Sequence, residues 1–253
     1  MKKLLFFLTF ALLLCIPVVS VLAEDALVAY YSFDGNAEDS SGNENHGEIK
    51  GDSKWDTGEF KDAIHLNVGT HVEMQASETL HADLFKNDPF TISVWINPTF
   101  EGGAWQHIWR SLPGASGHNT FFVNKDQGLL SWRGQVGGWT ILCQTDGGVI
   151  KKDVWTHAVV QSDGKNYRIY VNGEMVKETD FQETRGINQI YRLGGEGGEG
   201  YGGAIDDAAV FSRALDENEI SALGGGLDEF LDVAPQDKLT TKWGHIKRIG
   251  LIH

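Results

Sequence analysis

From Ala26 to Ser212 the sequence runs in short alternating segments broken by glycine, asparagine and aspartate, and almost no stretch carries the spacing of an amphipathic helix. In Phe90-Thr91-Ile92-Ser93-Val94-Trp95-Ile96, the residues Phe90, Ile92, Val94 and Ile96 fall on one side, as in a strand with one face on a core. Tyr167 to Val171 leads into Asn172-Gly173, a two-residue hairpin signal because both positions tolerate positive φ. Ser162-Asp163-Gly164-Lys165 supplies a further turn just upstream. Strands at this spacing, with one implied core, predict an all-β chain folded as a single two-sheet antiparallel β-sandwich.

One short C-terminal helix is expected. Asp216 caps Glu217 to Leu223, with Glu219 placed to return the capping-box bond, and Gly224-Gly225-Gly226 stops the helix. At the other end, Lys2 and Lys3 precede an apolar run from Leu4 to Cys15, and Val21-Leu22-Ala23 closes on small residues, the layout of a secretory signal peptide. The expected organisation is a signal peptide over 1–23, a sandwich domain over 24–223 and an extension over 224–253. Leu239, Trp243 and Ile246 in that extension are spaced for an amphipathic turn, and a poorly ordered tail fits the same residues. No run after the signal peptide approaches the ~20 apolar residues of a membrane span.

Cleavage after Ala23 leaves 19 basic against 35 acidic side chains, a net charge of −16 compared with −14 for the whole chain. Such a surface repels nucleic acid and anionic membrane and suits neutral partners or cations. It also leaves Cys143 as the one remaining thiol, so the exported chain must fold without an internal disulfide. Within Ile141-Leu142-Cys143 that thiol reads as a small buried hydrophobe.

Three stretches carry a family resemblance. Leu27 to Asp34 followed by Asp39 to Gly47 resembles the opening of the laminin-G-like, concanavalin A-like jelly-roll family. Phe90 to Pro98, Trp155 to Val160 and Ile169 to Gly173 resemble its middle strands, and Gly203 to Leu215 its closing strand. The resemblance spans Leu27 to Leu223 in order. It implies two antiparallel sheets used in exported proteins to bind a glycan or an extracellular protein, often with calcium, while the same fold serves lectins, adhesive domains and glycanases.

Calcium seeks several oxygen ligands, and Asp34, Asp39, Asn43 and Asn45 offer them in one glycine-punctuated loop. An EF-hand is excluded, because Asp39 stands where the turn glycine belongs and Asn45 where the bidentate glutamate belongs. The expected site adds Asp206 or Asp207 to that loop, since the family's first and last strands are neighbours; the alternative is that Asp39 and Asn43 only close turns. For a ligand, Trp105, Trp109, Trp132 and Trp139 are interleaved with Arg133, His107 and Arg110, and aromatic faces suit sugar rings. Trp132 and Trp139 also read as core plugs, whereas the glycines before Trp105 and Trp139 favour loop exposure for those two.

Two motifs mislead. Gly195 to Gly200 spells GxGxxG, but a strand rather than a helix follows, and its glutamates would repel a pyrophosphate. Glu178 to Glu183 resembles the carboxylate pattern of laminarinase-type glycoside hydrolases, with polar Thr179 and Gln182 at positions that are apolar there. Gly114 to His118 is no nucleophile elbow, since His118 replaces the final glycine. The sequence reading is therefore a secreted or cell-surface recognition module that is not an enzyme, with calcium as its cofactor. Its alternatives are a glycanase using Glu178 and Glu183, or a spacer without a ligand.

Overall fold

The computed structural model describes residues 26–230, apart from 82, 114–118, 186–187, 196 and 228–229. The signal-peptide segment, His118 and the tail carrying Leu239, Trp243 and Ile246 lie outside the described residues. In chain order the strands are β1 (Leu27–Tyr31), β2 (Glu48–Lys50), β3 (Ser53–Thr57), β4 (Asp62–Leu66), β5 (His71–Gln75), β6 (Phe90–Pro98), β7 (Trp105–Pro113) and β8 (Thr120–Asn124). They continue as β9 (Leu129–Gln135), β10 (Trp139–Gln144), β11 (Thr156–Ser162), β12 (Asn166–Val171), β13 (Glu174–Asp180), β14 (Asn188–Gly194) and β15 (Gly203–Phe211), followed by the helix α1 (Glu217–Leu223).

The strands form two antiparallel sheets, as the alternation predicts. One runs β13-β12-β11-β6-β15-β4-β3, with β1 as an eighth strand on β15. The other runs β10-β9-β8-β7-β14-β5-β2. Asn172 and Gly173 both take positive φ, 51° and 83°, which closes the β12–β13 hairpin as its sequence requires. Asp216 and Glu219 exchange both bonds of the capping box at α1.

Between the sheets, Phe90, Ile92, Val94 and Ile96 of β6 meet Trp109, Phe121 and Trp132 of the opposite sheet in one core. Phe85 is its hub, edge-on to Phe90 (ring centroids 5.0 Å apart), Tyr191 (5.6 Å), Trp109 (5.9 Å) and Trp132 (6.1 Å). Edge-to-face pairs of this kind add roughly 0.5–1.5 kcal/mol each beyond the apolar area they bury. Cys143 lies in the same core, buried, and burial raises its thiol pKa.

The two outer faces differ. That of the eight-stranded sheet is covered: Val159, Tyr170, Ala209 and Phe211 pack under Leu215, Ile220 and Leu223, and Leu227 and Phe230 complete the layer. The packed unit therefore runs to at least Phe230. β15 serves as a shared edge, pairing with β4 through Gly203–Ile205 and with β1 through Ala208–Phe211. The change of partner falls at Asp206-Asp207, where the register shifts and Asp207 has φ +42°. Asp206 accepts the amides of Phe60 (2.9 Å) and Asp207 (2.8 Å), and Asp207 accepts the Tyr30 hydroxyl (2.7 Å) and the Leu227 amide (3.2 Å). The acidic pair thus fastens the kink to its neighbours.

His157 is buried under this covering layer, stacked on Trp95 at 5.4 Å, with Nε2 2.7 Å from the Ser93 hydroxyl. Burial holds its pKa down at about 4, against 6.5 for a solvated imidazole. Between those values the unfolded chain binds a proton that the folded chain refuses, so this contribution to stability is full above pH 6.5 and lost as pH falls toward 4. Asp206, raised to about 7 by burial, acts in the opposite direction over the same range. Comparison with His157→Gln isolates the histidine: on going from pH 7 to pH 4, wild type should lose about 3 kcal/mol more than the variant in denaturant titrations. Parallel profiles would show that His157 is protonated in the fold.

Candidate functional site

The outer face of the seven-stranded sheet carries no comparable apolar layer among the described residues. Alternation along β7, β8 and β9 turns Trp109, Phe121 and Trp132 inward, which leaves Arg110, Thr120, Phe122 and Arg133 pointing outward. A bulge in β7 between His107 and Trp109 adds one residue, Ile108, so that His107 and Arg110 reach the same outer face although they are three apart. These side chains floor an open cleft of about 400 Å³, walled by Trp105 of β7 and Trp139 of β10 and closed at one end by Glu199. Trp139 is 50% exposed, and Ile141 beside it is 46% exposed.

The Arg133 guanidinium is the centre of the cleft. Its carbon lies 4.4 Å from the Trp105 ring centroid and 4.9 Å from that of Phe122, so two aromatic walls fix its plane. His107 sits below, with Nδ1 2.7 Å from Thr120 Oγ1 and Nε2 3.2 Å from Glu199 Oε2. Burial, and then the nearby Arg110, hold the His107 pKa at about 4 despite the Glu199 contact, so the imidazole is neutral at pH 7.

Glu199 arrives from a short 3₁₀ turn (Gly197–Glu199) in the glycine-rich segment. That segment docks on the start of β7 by close backbone approach: the Gly103 amide donates to Gly198 O at 2.6 Å, and a Cβ at Gly103 would meet the same oxygen at 2.3 Å. The GxGxxG spelling therefore serves packing, and β15, not a helix, follows it.

Of the expected ligand residues, Trp105, Trp139 and Arg133 meet in the cleft. Trp109 and Trp132 do not: they are 1% and 0% exposed and belong to the interior, because strand alternation places them opposite Arg110 and Arg133. Phe122 and Glu199 are cleft residues that the sequence did not single out.

The expected calcium ligands do not form one cage. Asp39 is buried, and its two oxygens accept from the amides of Tyr30, Ser41 and Asn45 (each 2.9 Å) and from the Ser41 hydroxyl (2.9 Å). Asn43 and Asn45 turn their Nδ2 groups, which are donors, to the Val28 carbonyl at 3.1 and 2.8 Å. Asp34 instead meets the Lys61 ammonium at 2.9 Å, and both Asp206 oxygens are held by backbone amides. Among the described residues no three His, Cys, Asp or Glu side chains gather as metal ligands. The donor set fits loop closure through Asp39 and does not fit calcium.

Glu178 lies on the exposed β13, bonded to Arg168 Nε at 2.5 Å, and Glu183 meets Asn87 at 3.3 Å. Neither lines the cleft, whose one carboxylate among the described residues is Glu199.

Residues 71–221, more than half of the chain, match the sequence profile of a laminin-G domain described as the concanavalin A-like lectin/glucanases superfamily. The chain belongs to that superfamily. Among solved structures it resembles domain 4 of AbnA, a GH43 extracellular arabinanase from Geobacillus stearothermophilus solved with arabinotriose, at 20% identity and TM-score 0.66, covering 79% of this chain and 98% of that one. It also resembles the binding domain of Paraclostridial Mosquitocidal Protein 1 (21% identity, TM-score 0.67, 81% of this chain and 53% of that one). The binding domain of botulinum neurotoxin DC, solved with SialylT, is similar at 16% identity and TM-score 0.62, with 81% and 52% covered. The chain spans about half the length of these toxin domains. At such identities the likeness establishes the jelly roll alone. No curated protein sequence matches. Among the described residues, no helix is long and apolar enough to cross a membrane.

If Asp39 is the keystone of its loop, Asp39→Ala strands three amides, two of them on the buried residues Tyr30 and Asn45, and should cost about 3 kcal/mol. Thermal unfolding in calcium and in chelator should show the same loss. Wild-type stabilisation by calcium that vanishes in the variant would return the loop to metal binding.

Proposed function

We propose that this chain is an exported, non-catalytic carbohydrate-recognition module whose ligand lies in the cleft between Trp105 and Trp139. The observation that carries this reading is the half-exposed Trp139 opposite an arginine already held against two aromatic rings, on the open outer face of a sheet whose inner face is rigidly packed. Aromatic faces take the apolar side of a sugar ring, while arginine, histidine and glutamate supply directional hydrogen bonds at its rim. Residues 1–23 are read as the export signal. The arabinotriose-bound relative supports a glycan over other small ligands.

A glycanase of the laminarinase type needs two carboxylates facing one bond in one cleft. Glu178 is engaged by Arg168 and Glu183 by Asn87, both away from the cleft, which favours binding without hydrolysis. A spacer without a ligand gives no reason for an open, aromatic-walled cleft.

Glycan arrays with purified protein test this. Trp139→Ala should weaken binding about tenfold or more at unchanged melting temperature, whereas Glu178→Gln should leave binding as it was. Sugar release by wild type that disappears in Glu178→Gln would replace the module with an enzyme.

A further inference from the structure

The cleft is cationic on an acidic protein. The whole chain carries −14, yet among the described residues the cleft presents the Arg133 guanidinium, with Glu199 as its carboxylate, and His107 in its floor is neutral. The two arginines belong to one cross-strand row, Arg110 beside Thr120 and Thr120 beside Arg133. Arg192, next along the row, is already held by Glu73 at 2.8 and 3.0 Å.

Arg133 differs from Arg192. Among the described residues no carboxylate pairs with it, its Nε is buried without a hydrogen bond, and its surroundings are the Trp105 and Phe122 rings. Removal from water lowers its pKa, the signature of a cation whose solvation is incompletely replaced. Glu199, the nearest acid at the rim, is directed to His107. A guanidinium held against two rings keeps its planar fork, and that geometry matches a carboxylate bidentately.

We propose that the ligand of this cleft is an acidic glycan, with the carboxylate of a uronate- or sialate-type sugar on the Arg133 guanidinium and its ring against Trp139. This rests on the carbohydrate reading above and adds the charge of the sugar.

The test is calorimetric titration of the protein with uronate- and sialate-containing oligosaccharides, the same oligosaccharides with their carboxylates reduced to alcohols, and a sulfated glycan. Acidic sugars should bind, and carboxyl reduction should weaken them roughly tenfold to a hundredfold. Arg133→Gln should abolish the preference for acid over alcohol, and Arg133→Lys, which keeps the charge and loses the fork, should restore part of it. Melting temperatures confirm that each variant is folded. Equal binding of acid and alcohol would overturn the proposal and leave the carbohydrate module intact. Sulfated glycan binding while both carboxylate classes fail would replace the carboxylate by sulfate. Failure of every glycan, neutral ones included, would overturn the module itself.

Discussion

The structure depends on the aromatic contact around Phe85, where Phe90 of one sheet and Trp109, Trp132 and Tyr191 of the other converge. With no disulfide available, this contact fixes the register of the seven-stranded sheet. A shift of one residue in β9 would put Arg133 into the core and Trp132 into water, exchanging a large apolar gain for a buried charge. Three outward side chains of the cleft are therefore positioned by inward neighbours: Arg110 by Trp109, Phe122 by Phe121, Arg133 by Trp132. The recognition surface is the reverse side of the core.

The two sheets divide the work. One is covered on both faces at its centre, by the core within and by α1 with Leu227 and Phe230 without, and it holds the polar residues His157 and Asp206 away from water. The other is sealed on one face only. The strands beneath its open side are anchored by the aromatic core, and the Gly103–Gly198 contact ties the rim loop to the start of β7. A ligand would meet a surface that has little ordering left to do, which favours affinity from modest contact area.

Much of this was legible along the chain, and the parts that were not share a physical cause. The sandwich, the Asn172-Gly173 hairpin and the α1 capping box follow from local pattern, so short sequence windows contain them. The tryptophans between 105 and 139 do not divide by pattern alone. Aromatic residues occur on both faces there, and the bulge at Ile108 interrupts the period of two that would sort them. Glu199 enters from 92 residues beyond His107, through a glycine segment whose spelling suggested another chemistry. Asp39 and Asp206-Asp207 are carboxylates rich enough in oxygen to suggest a cation, but hydrogen bonds from backbone amides and from the Tyr30 and Ser41 hydroxyls use those oxygens. That distinction exists only after the chain has folded around them.

Cys143 has a consequence for handling of the protein. Among the described residues it is the one cysteine, it is closed inside the core, and its thiolate is disfavoured by burial. A thiol must ionise and be reached before it can exchange or be oxidised. The native fold withholds both, so oxidants have no fast reaction with it, while an unfolded chain exposes a thiol free to join its neighbours. Covalent dimers of this protein would then be a record of molecules that lost, or never reached, the folded state.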